Sequence, residues 1–138
     1  MSVVYFTDRD LGRRFPEILR GSGLTVERHA DHFIDDAPDD VWLAEVGRRG
    51  WVALTHDRRI RYKPNERDAV MQNGVALLVI IGAAPFPDLA RSFITSQQVA
   101  QNFLNAHQPP FIAKVYRPTP AELARNPAAV GRVELWYP

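Results

Sequence analysis

Acids stand where short apolar runs end. Asp8 follows Val3-Val4-Tyr5-Phe6, Asp57 follows Trp51-Val52-Ala53-Leu54-Thr55-His56, and Asp39 with Asp40 opens a helical pattern. In an open α/β sheet, ligands bind beyond the carboxyl ends of the strands, so a carboxylate there faces a working rim rather than a core. Carboxylates from separate elements, in a chain with no cysteine, suit a hard cation such as Mg2+ or Mn2+ better than zinc. Such an ion activates water near neutral pH and stabilises charge on phosphoryl oxygens, which is the chemistry of phosphodiester hydrolysis. Asp8, Asp39 and Asp57 are the expected catalytic acids and metal ligands, with Asp40 and Asp10 as lesser ligands, direct or through water. Thr55 is expected to orient Asp57 or a water at the substrate side, and Arg58, Arg61 and Lys63 to meet substrate phosphates.

The charge distribution agrees with an acidic pocket bordered by a phosphate-attracting rim. Net charge is only +1, yet residues 1–47 carry ten acids against five bases, and residues 48–67 carry seven bases against Asp57 and Glu66. A hydrophobic fraction of 46% in 138 residues supports a single folded domain over 1–138, with a core over about 1–107 and a strand extension over about 108–138. No apolar run approaches the ~20 residues that span a bilayer. Asp8, Arg9 and Asp10 interrupt any signal-peptide pattern, so the expected location is cytoplasmic and no membrane partner is expected. Disulfides and thiol chemistry are excluded by the lack of cysteine.

These acids need elements to hold them. Val3–Phe6 reads as a buried strand, and Leu11–Arg20 as a helix stopped by Gly21 and Gly23, with Asp10 as its N-cap. Leu24–His29 alternates as a half-buried strand, and His29, Asp31, His32, Asp35 and Asp36 read as a surface loop. Pro38–Arg49 is a helix in which Asp39 shares the face of Leu43 and Val46, whereas Asp40 shares that of Ala44 and Gly47. After the strand that ends at Thr55 come a helix over Pro64–Asn73 and a doubly buried strand over Val75–Ile81. One long helix is expected over Asp88–His107. The alternation predicts a mostly parallel central sheet with helices on both faces. Phe111–Tyr116 and Arg132–Tyr137 then form a C-terminal strand pair that extends the sheet edge or meets a partner. No aromatic stacking platform for nucleic acid is evident.

The run Tyr5-Phe-Thr-Asp-Arg-Asp-Leu, followed by Leu19–Gly23 and the next strand, resembles the opening of PIN-like domains. The segment from Asp39 through Trp42, Gly50 and Trp51 to Thr55-His56-Asp57 resembles the family's acid-led helix, glycine, apolar strand and Thr-x-Asp ending. The resemblance covers about residues 3–82, and it implies a PIN-like three-layer α/β fold whose three acids match Asp8, Asp39 and Asp57. The tail resembles that of a subgroup of PIN-like toxins from toxin–antitoxin pairs. This implies a magnesium-dependent endoribonuclease toxin acting on RNA and held inactive by a cognate antitoxin protein. A second copy of the chain is a further candidate partner, suggested by Trp136 and Tyr137. The chain departs from the family pattern at Arg59, where many relatives carry a fourth acid, and at Arg9 beside Asp8.

Two other readings share these features. A receiver-like phosphoacceptor domain also places acids after its first strand and an aspartate after its third, although Ile81-Gly82 lacks the Ser or Thr it needs and no Lys-Pro follows a fifth strand. A PIN-like module that binds RNA or protein without cleavage would keep the acids as relics.

Overall fold

The computed structural model describes residues 3–138. In chain order the elements are β1 (Val4–Thr7), α1 (Arg14–Gly21), β2 (Thr25–Arg28), α2 (His29–His32), α3 (Asp39–Arg49), β3 (Val52–Thr55), α4 (Pro64–Gln72), β4 (Ala76–Ile80), α5 (Phe86–Thr95), α6 (Gln97–Ala106), β5 (Phe111–Tyr116), α7 (Pro120–Arg125) and β6 (Arg132–Tyr137). Short 3-10 turns at Arg9–Leu11 and Ile60–Tyr62 follow β1 and β3. Among the described residues the strands form one sheet in the order β2-β1-β3-β4-β5-β6, parallel except for the antiparallel β6 at the edge.

The sheet separates two apolar layers because alternate side chains of each strand point to opposite faces. Tyr5, Leu54, Leu78, Ile80 and Val115 pack with Phe15, Leu19, Leu89 and Phe93 of α1 and α5. Phe6, Ala53, Leu77, Val79 and Ile112 pack against Trp42, Leu43 and Val46 of α3 and Val70 of α4. This is the mostly parallel three-layer α/β architecture expected from the alternating pattern, with the C-terminal strand pair at its edge.

Chain order reverses beside β1. From β1 the chain first goes outward to β2, then crosses to β3 on the other side. Loops leaving β1 and β3 therefore diverge onto opposite faces and open a crevice at their carboxyl ends. The β1–β3 ladder continues into this rim, where Asp8 N donates to Leu54 O at 2.9 Å.

Three local expectations are corrected. The first helix does not start at Leu11, because Gly12 at φ 70° breaks the chain after the 3-10 turn and α1 begins at Arg14. The helix expected over Asp88–His107 is two helices. Ser96, between α5 and α6, is buried, and its Oγ accepts from Gly131 N at 2.9 Å just before β6. The expected loop at His29–His32 is a helical turn, and His29 is only 1% exposed, enclosed by the rings of Phe6, Phe33 and Trp42.

α3 and α4 cross closely because residue 47 is glycine. A Cβ there would stand 2.1 Å from Asn73 O, which no side chain tolerates. That contact fixes α3, whose first turn carries Asp39 to the rim.

Candidate metal centre

The crevice beyond β1 and β3 is a cleft of about 540 Å³. Asp8, Asp10, Asp39 and Asp57 line it together with Arg9, His56, Arg58, Arg59 and Lys63. Asp8 and Asp57 thus face the same cavity, although 49 positions separate them in the chain.

Asp8 ends β1 and is 7% exposed. One of its oxygens accepts from Arg9 N at 2.7 Å, which caps the 3-10 turn. The capping role expected of Asp10 on the first helix is not filled by any side chain, since Arg13 stands at the start of α1 without a cap bond. Asp10, one 3-10 step further on, turns back across the rim to β3. Its carboxylate accepts from His56 N at 3.1 Å and lies 3.0 Å from Thr55 Oγ1. Thr55 Oγ1 is also 3.0 Å from Asp8 Oδ2 and accepts from Asp57 N at 3.2 Å.

A hydroxyl carries one proton, so Thr55 can donate to Asp8 or to Asp10 but not fully to both. With both acids ionised, one close oxygen contact lacks a positive partner. A proton on one of the acids, or a bound cation, would satisfy it. The acidities follow the same logic. Burial, reinforced by the charges of Asp10 and Asp39, pushes Asp8 up to about 7. Asp10 is also raised, chiefly because its carboxylate is enclosed at the rim, against the pull of its bonds to Thr55 and His56 N. Two carboxylates that resist ionising side by side favour a bound cation.

Asp57 sits in a different environment. Its Oδ2 accepts from Lys63 Nζ at 2.6 Å and its Oδ1 from Arg59 N at 2.9 Å. Burial alone would raise its pKa, but Lys63 and the Arg59 amide outweigh it and hold the carboxyl below its ordinary value. Lys63 is raised in turn by Asp57. Asp39 Oδ1 accepts from Trp42 Nε1 at 2.9 Å, which anchors the start of α3 to the buried indole.

Among the described residues, no three His, Cys, Asp or Glu side chains converge closely enough to cage an ion. The expected acids Asp8, Asp39 and Asp57 nonetheless line one cleft, and within it Asp8 and Asp10 are the two joined through Thr55. Asp57 is ion-paired with Lys63, and Asp39, on the first turn of α3, has one oxygen committed to Trp42. A carboxylate pair on an open cleft fits a hard cation that keeps most of its water, as Mg2+ does.

The remaining expected residues divide. Asp40 is exposed and lines a second groove of about 670 Å³ between α3 and α4, beside Glu66 and Asp68, which shares Asp39 with the cleft. It lies with Ala44 on the face turned toward α4, so it is not placed with the Asp8 pair. Thr55 is fully buried and holds the two acids rather than meeting a substrate. Arg58 and Lys63 line the cleft, but Lys63 is engaged by Asp57. Arg61 points away, its guanidinium over the rings of Trp136 and Tyr137. Arg9 and Arg59 supply basic lining that the spacing did not indicate. His56 was also missed. Its Nδ1 lies 2.8 Å from Ile80 O, tying the end of β3 to β4 beneath the cleft.

The fold and site define a three-layer α/β protein with an acid pair at the switch point of its sheet. A sequence model described as PIN like domain matches residues 3–82, more than half of the chain. The chain belongs to the PIN-like domain family, and the matched segment contains every residue lining the cleft. No match to the chain was found among curated proteins or among solved structures. Among the described residues, no helix is long and apolar enough to cross a membrane.

Proposed function

We propose that this protein is a metal-dependent endoribonuclease that cleaves RNA phosphodiester bonds, with the ion held at Asp8 and Asp10. Membership of the PIN-like family supports a nuclease. The observation that carries the reading is the single Thr55 hydroxyl between two acids that both resist ionisation. A bound Mg2+ or Mn2+ supplies water activation and charge stabilisation at the scissile phosphate. Thr55 fixes the spacing of the two carboxylates, and Asp39 adds negative charge across the cleft. Arg9, Arg58 and Arg59 attract the phosphates on either side. Lys63 keeps Asp57 ionised and in place beside them.

The resemblance of the tail to PIN-like toxins supports a further step, in which the enzyme is a toxin neutralised by a cognate antitoxin. Growth arrest on expression, relieved by the product of an adjacent gene, would test that step.

The test of the enzyme is cleavage of end-labelled RNA with Mg2+ or Mn2+, compared with EDTA, by the wild type, Asp8→Asn and Asp10→Asn. The expected result is metal-dependent cleavage lost in both variants while the folded signal in circular dichroism persists. Cleavage that survives in EDTA, or at full rate in Asp8→Asn, overturns the proposal.

A further inference from the structure

On the α3–α4 side of the sheet, the outer strands β5 and β6 carry a strip of rings and cations. Tyr62, 67% exposed, stands edge-on to Trp136 at 5.9 Å. Lys114 Nζ lies 4.1 Å from the Trp136 ring centre, and Arg61 lies between Tyr62, Trp136 and Tyr137 at 5.7 to 5.8 Å. Arg67 covers Tyr137 at 5.3 Å. Glu134, opposite Lys114 in the strand register, is paired with Arg132 at 2.8 Å, and Asp68 lies 3.8 Å from Arg67, which leaves Arg61 and Lys114 as the cations of the strip without an ion pair among the described residues.

We propose that this strip is a binding platform for single-stranded RNA, on which bases stack on the exposed Tyr62 beside Trp136 while Arg61 and Lys114 meet the phosphates. Interleaved rings and cations are what single strands need, since every base has a flat face and every linkage a charge. Aromatic and arginine residues also mark protein interfaces, but continuity with the cleft favours RNA. Residues 57–63 form one short turn whose Asp57, Arg58, Arg59 and Lys63 line the cleft while Arg61 and Tyr62 open onto the platform. A strand leaving the cleft therefore meets the platform within a few residues of protein. The inference rests on the nuclease reading for its RNA substrate, and the sequence hides it because Tyr62 and Trp136 lie 74 positions apart.

The experiment is binding of a short fluorescein-labelled single-stranded RNA to the full chain in EDTA, where no cleavage occurs, followed by anisotropy. Tyr62→Ala is expected to weaken binding roughly tenfold, given what one stacked base contributes, whereas Tyr62→Phe keeps it. Lys114→Glu is expected to weaken it too, and a duplex of equal length to compete poorly. Unchanged affinity in Tyr62→Ala, equal binding of duplex, or a Tyr62-dependent self-association in sedimentation without RNA binding each overturns the platform. Tyr62-dependent binding in a protein that never cleaves RNA with Mn2+ upholds the platform and removes the nuclease. Metal-dependent cleavage with no effect of Tyr62→Ala does the reverse.

Discussion

Asp8 is the acid that the folded protein most resists ionising, and replacing it with asparagine reads that cost directly. Its carboxyl has an ordinary pKa of 3.8 and is held near 7 in the fold. Below pH 3.8 both states keep the proton and nothing is lost. Between 3.8 and 7 the unfolded chain has released the proton while the folded one retains it, so stability falls as pH rises. Above 7 the folded state bears the whole penalty. Each pKa unit corresponds to about 1.4 kcal/mol, so the interval amounts to roughly 4 kcal/mol at full value. Relaxation around an open cleft reduces it to about 2 kcal/mol at the lower end.

Asparagine removes the charge while keeping the hydrogen bonds. Its oxygen can still accept from Arg9 N, and its amide can donate to Thr55, which frees the hydroxyl for Asp10. In EDTA at pH 8, Asp8→Asn should therefore be the more stable protein by about 2–4 kcal/mol. For 138 residues this is a rise in Tm of roughly 7–14 °C, measured by scanning fluorimetry or calorimetry. At pH 4, just past the ordinary pKa, the gap should shrink to below about 1 kcal/mol. Saturating Mn2+ should raise the Tm of the wild type and leave the variant where it was, since only the wild type has a site to fill. A variant that melts lower than the wild type at pH 8, or a difference of the same size at pH 4 and 8, refutes the argument that Asp8 charge is the cause.

Three further outcomes test other parts of the structure. Asp57→Asn should act in the opposite sense to Asp8→Asn, lowering stability by about 1 kcal/mol in urea unfolding, because it breaks the 2.6 Å pair with Lys63; a gain in stability would mean that Asp57 belongs with the strained acids. Thr55→Val should leave Asp8 and Asp10 without their shared donor and cost about 1–3 kcal/mol, with Thr55→Ser largely restoring it; equal urea midpoints for Val and wild type would show that the hydroxyl holds nothing. Gly47→Ala should cost at least about 2 kcal/mol, because its methyl group meets Asn73 O across the α3–α4 crossing; a neutral result in the same assay would place the helices further apart.

Taken alone, the sequence determined the strands and their order and most of the helices, because apolar period, glycine stops and proline starts act over a few residues; it missed the helical turn at His29–His32 and the break at Ser96. It also determined that Asp8 and Asp57 would occupy one rim, since acids that end parallel strands of one sheet come out on the same side. It could not determine which acids would pair. Asp10 and Asp39 are equally acidic in a list of letters, and only the β1–β3 register, with Gly12 turning the chain after Leu11, brings Asp10 to Thr55. Lys63 was expected to meet phosphate, but the 3-10 turn after β3 folds it back onto Asp57. The same holds at Ser96, where the interruption between α5 and α6 coincides with a bond to Gly131, and at Trp136, whose neighbours arrive from β5 and from the turn before α4. Local propensity acts between adjacent residues, whereas the partners of a charge, a hydroxyl or a ring are set by sheet order and register, which only the folded chain defines.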